Sequence, residues 1–407
     1  KKKEKAGYLN FQSFNYKAKL RNGKKTKGEL DATDKNQAES LLRQKGYTNI
    51  KLKKQPKDLM PKKINFKDIT DMTRQLATMS RAGIPIIKSF QVFIAGIKKH
   101  NSLKILALGL QNRIESGEPF SKALAAYPNY FDKLYVGLVT AGEESGNLDT
   151  MLDKLATQRE YMESIKKKVK KALSYPMIVM IVAAGVTGIL LTFAVPAFSA
   201  MFINSGKPLP AITQFTVNAS DFMQEYWWVL IAGTFISLTT FKILKRKYPE
   251  IQRRQDYFML NIPIIGQLIY KSALARFSST LQITTASGMS LSRALDMVAL
   301  STGNAKYDEA ALEIKQSISE GSTFKEAISD TGVFPFLVEQ MISVGEESGS
   351  LETMLGNLNR IYQEEVDTVV EGLSSMLEPI IMVLLGGVVG FLVISMYLPM
   401  FQMGDAI

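Results

Sequence analysis

The chain has 407 residues, 46% of them hydrophobic, with no cysteine, one histidine and a formal charge of +12. The lack of cysteine excludes disulfides, thiolate metal sites and thiol nucleophiles, and His100 alone cannot build a multi-histidine centre. Much of the charge lies in Lys1–Lys5, Lys51–Lys63, Lys166–Lys171 and Lys242–Arg254; the last two clusters abut long apolar stretches, a pattern of membrane orientation rather than nucleic-acid binding.

In chain order, the lysine-rich start carries no apolar core of a secretory signal. Phe14–Leu20, Asn22-Gly23 and Thr26–Leu30 then predict a β-hairpin with a two-residue turn. A helix over Asp34–Lys45 closes at Gly46, and Asn49–Lys53 forms a further strand. Together 1–55 form a small α/β module, and the Lys- and Pro-containing segment 56–66 is a basic linker.

Residues 67–172 read as a first helical domain. Ile69, Met72, Leu76 and Met79 recur at helical spacing, Gly83 stops that helix, and Ile84-Pro85 begins the next. The joint Gly117-Glu118-Pro119 is short, and short joints between amphipathic helices give a bundle.

Three membrane spans follow, at 173–203, 226–245 and 377–401. Crossing hydrocarbon takes about 20 helical residues. Met177–Phe202 is almost wholly apolar, Pro379–Met403 is uncharged throughout, and the shorter second span opens on Tyr226-Trp227-Trp228. Residues 204–225 are expected as a loop and 246–376 as a second helical domain. Five lysines precede the first span, Lys242, Lys245, Arg246 and Lys247 follow the second, and the tail 402–407 has no basic residue. The rule that basic flanks stay inside puts the N-terminus in the cytoplasm and the 204–225 loop and the tail in the periplasm.

The chain is also duplicated. Gly142–Leu152 recurs as Gly345–Leu355 with nine of eleven positions identical, Pro176 matches Pro379, and Val195-Pro196 matches Leu398-Pro399. Ala82-Gly83 matches Ser287-Gly288, so each copy is a helical domain followed by a span.

No phosphate-binding loop is present: Glu29 follows Gly28 where a lysine is required, and Pro208 follows Gly206-Lys207. Glu143/Glu144 and Glu346/Glu347 are paired carboxylates, but neighbours on a helix diverge by about 100° and share a ligand poorly. Ahead of Gly146 and Gly349 they read first as structural capping at a helix boundary, with partner contact or cation binding as the alternative. No nucleophile and base set exists, so neither a catalytic residue nor a cofactor or metal site is assigned. Inside the membrane, Ala183 and Thr187 occupy the places of Gly386 and Gly390, small residues that let helices approach. This suits packing of spans one and three within a chain, or a homo-oligomer seam. Pro196 and Pro399 each remove a helix hydrogen bond, with Thr192 and Ser395 four residues earlier. The spans hold no mid-membrane charge, which argues against a transporter or channel.

Thr73–Met79, Ala82-Gly83-Ile84-Pro85, the two Gly-Glu-Glu-Ser-Gly motifs, Ser174-Tyr175-Pro176, Leu377-Glu378-Pro379 and Met396-Tyr397-Leu398-Pro399 resemble the platform proteins shared by type IV pilus and type II secretion machines, the PilC/GspF family. The resemblance covers nearly the whole chain. It implies an all-α membrane protein with two homologous cytoplasmic six-helix bundles, three spans and a small α/β N-terminal module. It further implies a non-enzymatic role in the bacterial inner membrane: engaging extension and retraction ATPases, pilin subunits and other inner-membrane alignment proteins. Tyr270–Ala273 and Tyr397–Gln402 resemble the pilus branch; a type II secretion or DNA-uptake platform is the alternative. The five lysines of 166–171 have no counterpart in Val369–Ser374, so the two repeats are expected to meet different partners.

Overall fold

The computed structural model describes residues 12–20, 25–32, 35–44, 46–54, 64–97, 102–204 and 209–404. His100 and the Asn22-Gly23 turn lie outside the described residues.

The N-terminal module is a three-stranded antiparallel sheet in the order β2-β1-β3, from β1 (Gln12–Leu20), β2 (Lys25–Ala32) and β3 (Tyr47–Lys54), with helix α1 (Lys35–Gln44) inserted. Ala18, Ala38 and Leu42 form its buried centre. In the hairpin Ala18 pairs with Thr26 and Lys19 with Lys25.

The chain divides into two compact units, Lys1–Glu163 with Ser279–Ser301, and Ser164–Ser278 with Thr302–Ile407. Unit 1 contains α2 (Phe66–Arg81), α3 (Ile86–Gly96), α4 (Ser102–Glu115), α5 (Phe120–Ala125), α6 (Lys133–Ser145) and the start of α7 (Leu148–Ile189). Its core joins Met72 and Leu76 of α2 to Phe90, Leu110, Phe120 and Tyr135. The start of α2 is fixed by the Asp68 carboxylate, which accepts the Asn65 N–H at 2.8 Å. Its end is a left-handed turn at Gly83, φ +74°, where a side chain would be strained. Arg74 of α2 clamps α7 by donating to Asp153 and Glu160, both at 2.6 Å.

Unit 2 holds the rest of α7, a π-helical turn at Leu190–Ala194, α8 (Val195–Asn204), α9 (Ala211–Lys247), α10 (Pro249–Leu260) and the start of α11 (Ile265–Ala286). It then takes α13 (Ala305–Ser319), α14 (Phe324–Thr331), α15 (Phe336–Glu347) and α16 (Leu351–Gly404). The end of α11 and all of α12 (Leu291–Val298) group with unit 1, where Ile283 joins the core. The compact units therefore do not follow the boundary of the sequence repeat.

Among the described residues two helical runs are long and apolar enough to cross a membrane, Leu148–Ala200 and Leu351–Leu398, or up to four if two bent helix pairs are counted. Only 6% and 11% of their apolar windows are buried, so neither is a core helix. Residues 211–225, expected as part of a loop, are instead helical and continuous with Tyr226 in α9. The polar residues that suggest a loop include Thr213, Thr216 and Ser220, which lie at helical spacing and are buried. They are the packing face of a helix.

Candidate functional site

Two features recur in both repeats and tie helices together: the acidic motifs and the prolines of the long helices.

Gly142–Gly146 forms the last turn of α6 and stops it at Gly146, φ +72°. Glu143 does not face solvent as a free acid. Its Oε1 accepts the Phe120 N–H at 2.7 Å and its Oε2 the Ser121 N–H at 2.9 Å. These are unsatisfied donors at the start of α5, and Pro119 ahead of them offers no side-chain cap. A carboxylate there satisfies two N–H groups and meets the positive end of the helix. Glu346 repeats this at the start of α14, accepting from Phe324 at 2.8 Å and Lys325 at 3.1 Å. The leading glycine has its own reason. A Cβ on Gly142 would lie 2.9 Å from Met151 Cγ and 3.1 Å from Leu148 Cα, and one on Gly345 would lie 3.0 Å from Leu351 Cα. The following long helix therefore passes too close for a side chain. Gly349 ends the second motif at φ +65°.

The second acid of each pair points elsewhere. Glu144 is exposed and lies 3.9 Å from Arg293, while Glu347 accepts the Ser343 hydroxyl at 2.9 Å. Among the described residues no group of three or more Asp, Glu or His could hold a metal ion.

The prolines carry the second feature. Inside an α-helix a proline leaves the carbonyl four residues earlier without its donor. Pro176 does this to Ala172, and Ser374 of α16 donates its hydroxyl to that carbonyl at 2.8 Å. Pro399 does it to Ser395, and Thr213 of α9 donates to that carbonyl at 2.6 Å. Pro196 follows a π-turn in which the Val195 N–H reaches Leu190 O, five residues back. In that register the orphan is Leu191 O, and Ser220 of α9 donates to it. Each of these three carbonyls is thus closed by a hydroxyl from another helix.

The sequence pointed to Thr192 and Ser395 as local helpers. Their hydroxyls go further back, to Gly188 O at 2.7 Å and Leu392 O at 2.8 Å, and not to the orphaned carbonyls. Thr213, Ser220 and Ser374 were not singled out, because which hydroxyl meets which carbonyl is set by packing between helices distant in sequence. Beside Ser374 an ion pair links the same helices, Lys168 Nζ to Asp367 at 3.0 Å.

The small residues are placed differently. A Cβ on Gly386 or Gly390 would meet nothing within 4 Å, so inside this chain the two glycines form no close seam. Ala183 is half-buried, and Thr187 is half-buried on the wall of an apolar groove of about 310 Å³ that Leu191, Phe215, Gly387 and Phe391 also line.

A duplicated helical unit ending in a long apolar helix, behind a small α/β module, defines a membrane protein of repeat architecture. The chain belongs to the family described as "Type II secretion system (T2SS), protein F", matched over residues 72–196 and again over 277–399. Residues 12–53 match that family's N-terminal domain. The chain is 42% identical to the type IV pilus assembly protein PilC of Pseudomonas aeruginosa over 90% of its length and 98% of the relative's. It is 39% identical to TapC of Aeromonas hydrophila, also a type IV pilus assembly protein, over 97% and 96%. The type II secretion system protein F of Vibrio cholerae is 28% identical over 97% and 98%.

Proposed function

We propose that this chain is the inner-membrane platform of a type IV pilus assembly machine. The observation that carries the pilus branch is the identity pattern. Relatives named for pilus or fimbrial assembly stand at 33–42% over 85–97% of the chain, whereas the secretion protein F relatives stand at 28%. A type II secretion or DNA-uptake platform is the second reading, favoured by the family that both halves match.

In this reading the chain performs no chemistry. Cytoplasmic extension and retraction ATPases supply the work, and the helical domains pass it to three spans that admit or withdraw pilin at the fibre base. Both helical domains lie in the cytoplasm and the C-terminus in the periplasm, a placement that the lysine distribution supports. The hydroxyl closures at Pro176, Pro196 and Pro399 suit such a relay. They couple α7 and its π-helical turn, α9 and α16 through backbone groups at points where a helix has already lost a rung of its ladder. The exposed second acids, Glu144 and Glu347, are the positions we assign to partner contact.

Deleting the chain, with all other components present, should abolish surface pili and twitching motility and leave secreted enzymes unchanged. Intact pili would overturn the reading, and loss of secretion alone would favour the second. Reporter fusions that put the two helical domains on opposite membrane faces would also overturn it, because one motor could not grip both.

A further inference from the structure

The repeat brings helices into correspondence that the fold then uses differently. Ser89, Phe90 and Phe93 of α3 correspond to Ala294, Leu295 and Val298 of α12, and all six are buried. Within unit 1, α12 sits on α6. A Cβ on Gly137 would collide with Met297 Sδ, and Arg293 reaches Glu144 at 3.9 Å. Each of these four positions has a counterpart. Met297 corresponds to Val92 and Arg293 to Lys88, both on α3; Gly137 corresponds to Gln340 and Glu144 to Glu347, both on α15.

The counterparts are open. Val92 is 53% exposed where Met297 is half-buried, and Lys88 is exposed. On α15, Phe336 is 72% and Val344 50% exposed, on the same face as exposed Gln340 and Glu347. The charge pattern of the closed contact is kept, with Lys for Arg and Glu for Glu. The sizes exchange in compensation: a long Met over a Gly becomes a short Val over a Gln.

We propose that a second copy of this chain docks its α3 on the Phe336–Glu347 face of α15, repeating between copies the contact that α12 makes with α6. Each copy carries both halves of the contact, α3 and the α15 face. Lys88 and Val92, four apart on α3, supply a cation and an apolar residue at the spacing of Glu347 and the Phe336–Val344 stripe. The proposal goes beyond the platform reading and stands without it.

The chain has no cysteine, so engineered thiols report without background. Full-length chains with two different tags are co-expressed in membranes, one carrying Val92→Cys and the other Gln340→Cys, and oxidised. A disulfide product bearing both tags is expected, and it should vanish when either cysteine is reverted. Its absence, while a Gly137→Cys/Met297→Cys control joins within one chain, would overturn the proposal. So would a doubly substituted Val92→Cys/Gln340→Cys chain that joins only within itself. Lys88→Glu should lower the mixed-tag yield about two- to five-fold, the range of an exposed ion pair, and Glu347→Lys should restore it. A yield that ignores both charge reversals would equally overturn the proposal.

Discussion

Ser374 donates its hydroxyl to the carbonyl of Ala172 across 2.8 Å, and that carbonyl is the one that Pro176 leaves without a donor. Burying an unsatisfied carbonyl costs about 1–3 kcal/mol, whereas removing both partners together is close to neutral. Ser374→Ala alone should therefore destabilise the protein by about that amount. In a Pro176→Ala background, residue 176 supplies the missing N–H, and the same substitution should cost little. A double-mutant cycle on unfolding in detergent micelles measures the coupling. Equal costs in both backgrounds would show that the serine does not act through the orphaned carbonyl.

The acidic motifs allow a graded test. Glu143 accepts two N–H groups at the start of α5, so Glu143→Gln keeps one acceptor oxygen and the shape but loses the charge. Glu143→Ala loses everything. Charged hydrogen bonds contribute about 1.5–3 kcal/mol, so Ala should fall in that range and Gln should sit between it and wild type. Glu346 should repeat the order at α14, while Glu144→Ala and Glu347→Ala should change stability far less. Thermal unfolding of the six variants and wild type ranks them.

The glycines of the acidic motif and of the last span should respond differently to a methyl group. Gly142→Ala places a methyl against Met151 and the Leu148 backbone and should cost about 1–3 kcal/mol by overpacking. Gly386→Ala and Gly390→Ala meet open space and should leave monomer stability unchanged or slightly raised, because alanine is the better helix former. If either lowers the oligomer content in a bilayer without lowering stability, the two glycines face another chain.

The sequence exposed what local chemistry decides. Helical spacing at Ile69–Met79, the glycine stops and the near-identical Gly142 and Gly345 motifs all reappear as elements and turns. Two things were hidden, each for a physical reason. The start of α9 was concealed because a buried hydroxyl face and a loop have the same composition; only the spacing of Thr213, Thr216 and Ser220 separates them. The role of Glu143 was half visible. Its position before Gly146 marks a helix end, but the helix it caps begins more than twenty residues earlier in the chain, and such pairing is set by tertiary packing.

Two carboxyls give pH dependences of opposite sign. The Arg74 guanidinium, by its hydrogen bonds and charge, holds Glu160 below the usual carboxylate range, with burial and then Asp153 opposing. A depressed folded pKa contributes stability that is present above the unfolded value of about 4.3 and lost as pH falls through the folded one. The stability gap between wild type and Arg74→Met should thus shrink on acidification below about pH 4.3. Asp308 is pushed up, first by burial, with Asp256 and Glu309 adding to it and the Thr302 hydroxyl and Arg276 opposing. Its ionised form is disfavoured in the folded state, so it weakens the fold at neutral pH, and that penalty is relieved as pH falls through its raised pKa. Asp308→Asn keeps an acceptor for Thr302 and removes the charge. Its stability relative to wild type should be highest near pH 7 and decline toward about pH 4, the reverse slope to that expected if the carboxylate were stabilised by Arg276. Unfolding midpoints of the three proteins across that range decide both signs, and a parallel acid response in Arg74→Met and wild type would remove Glu160 from the account.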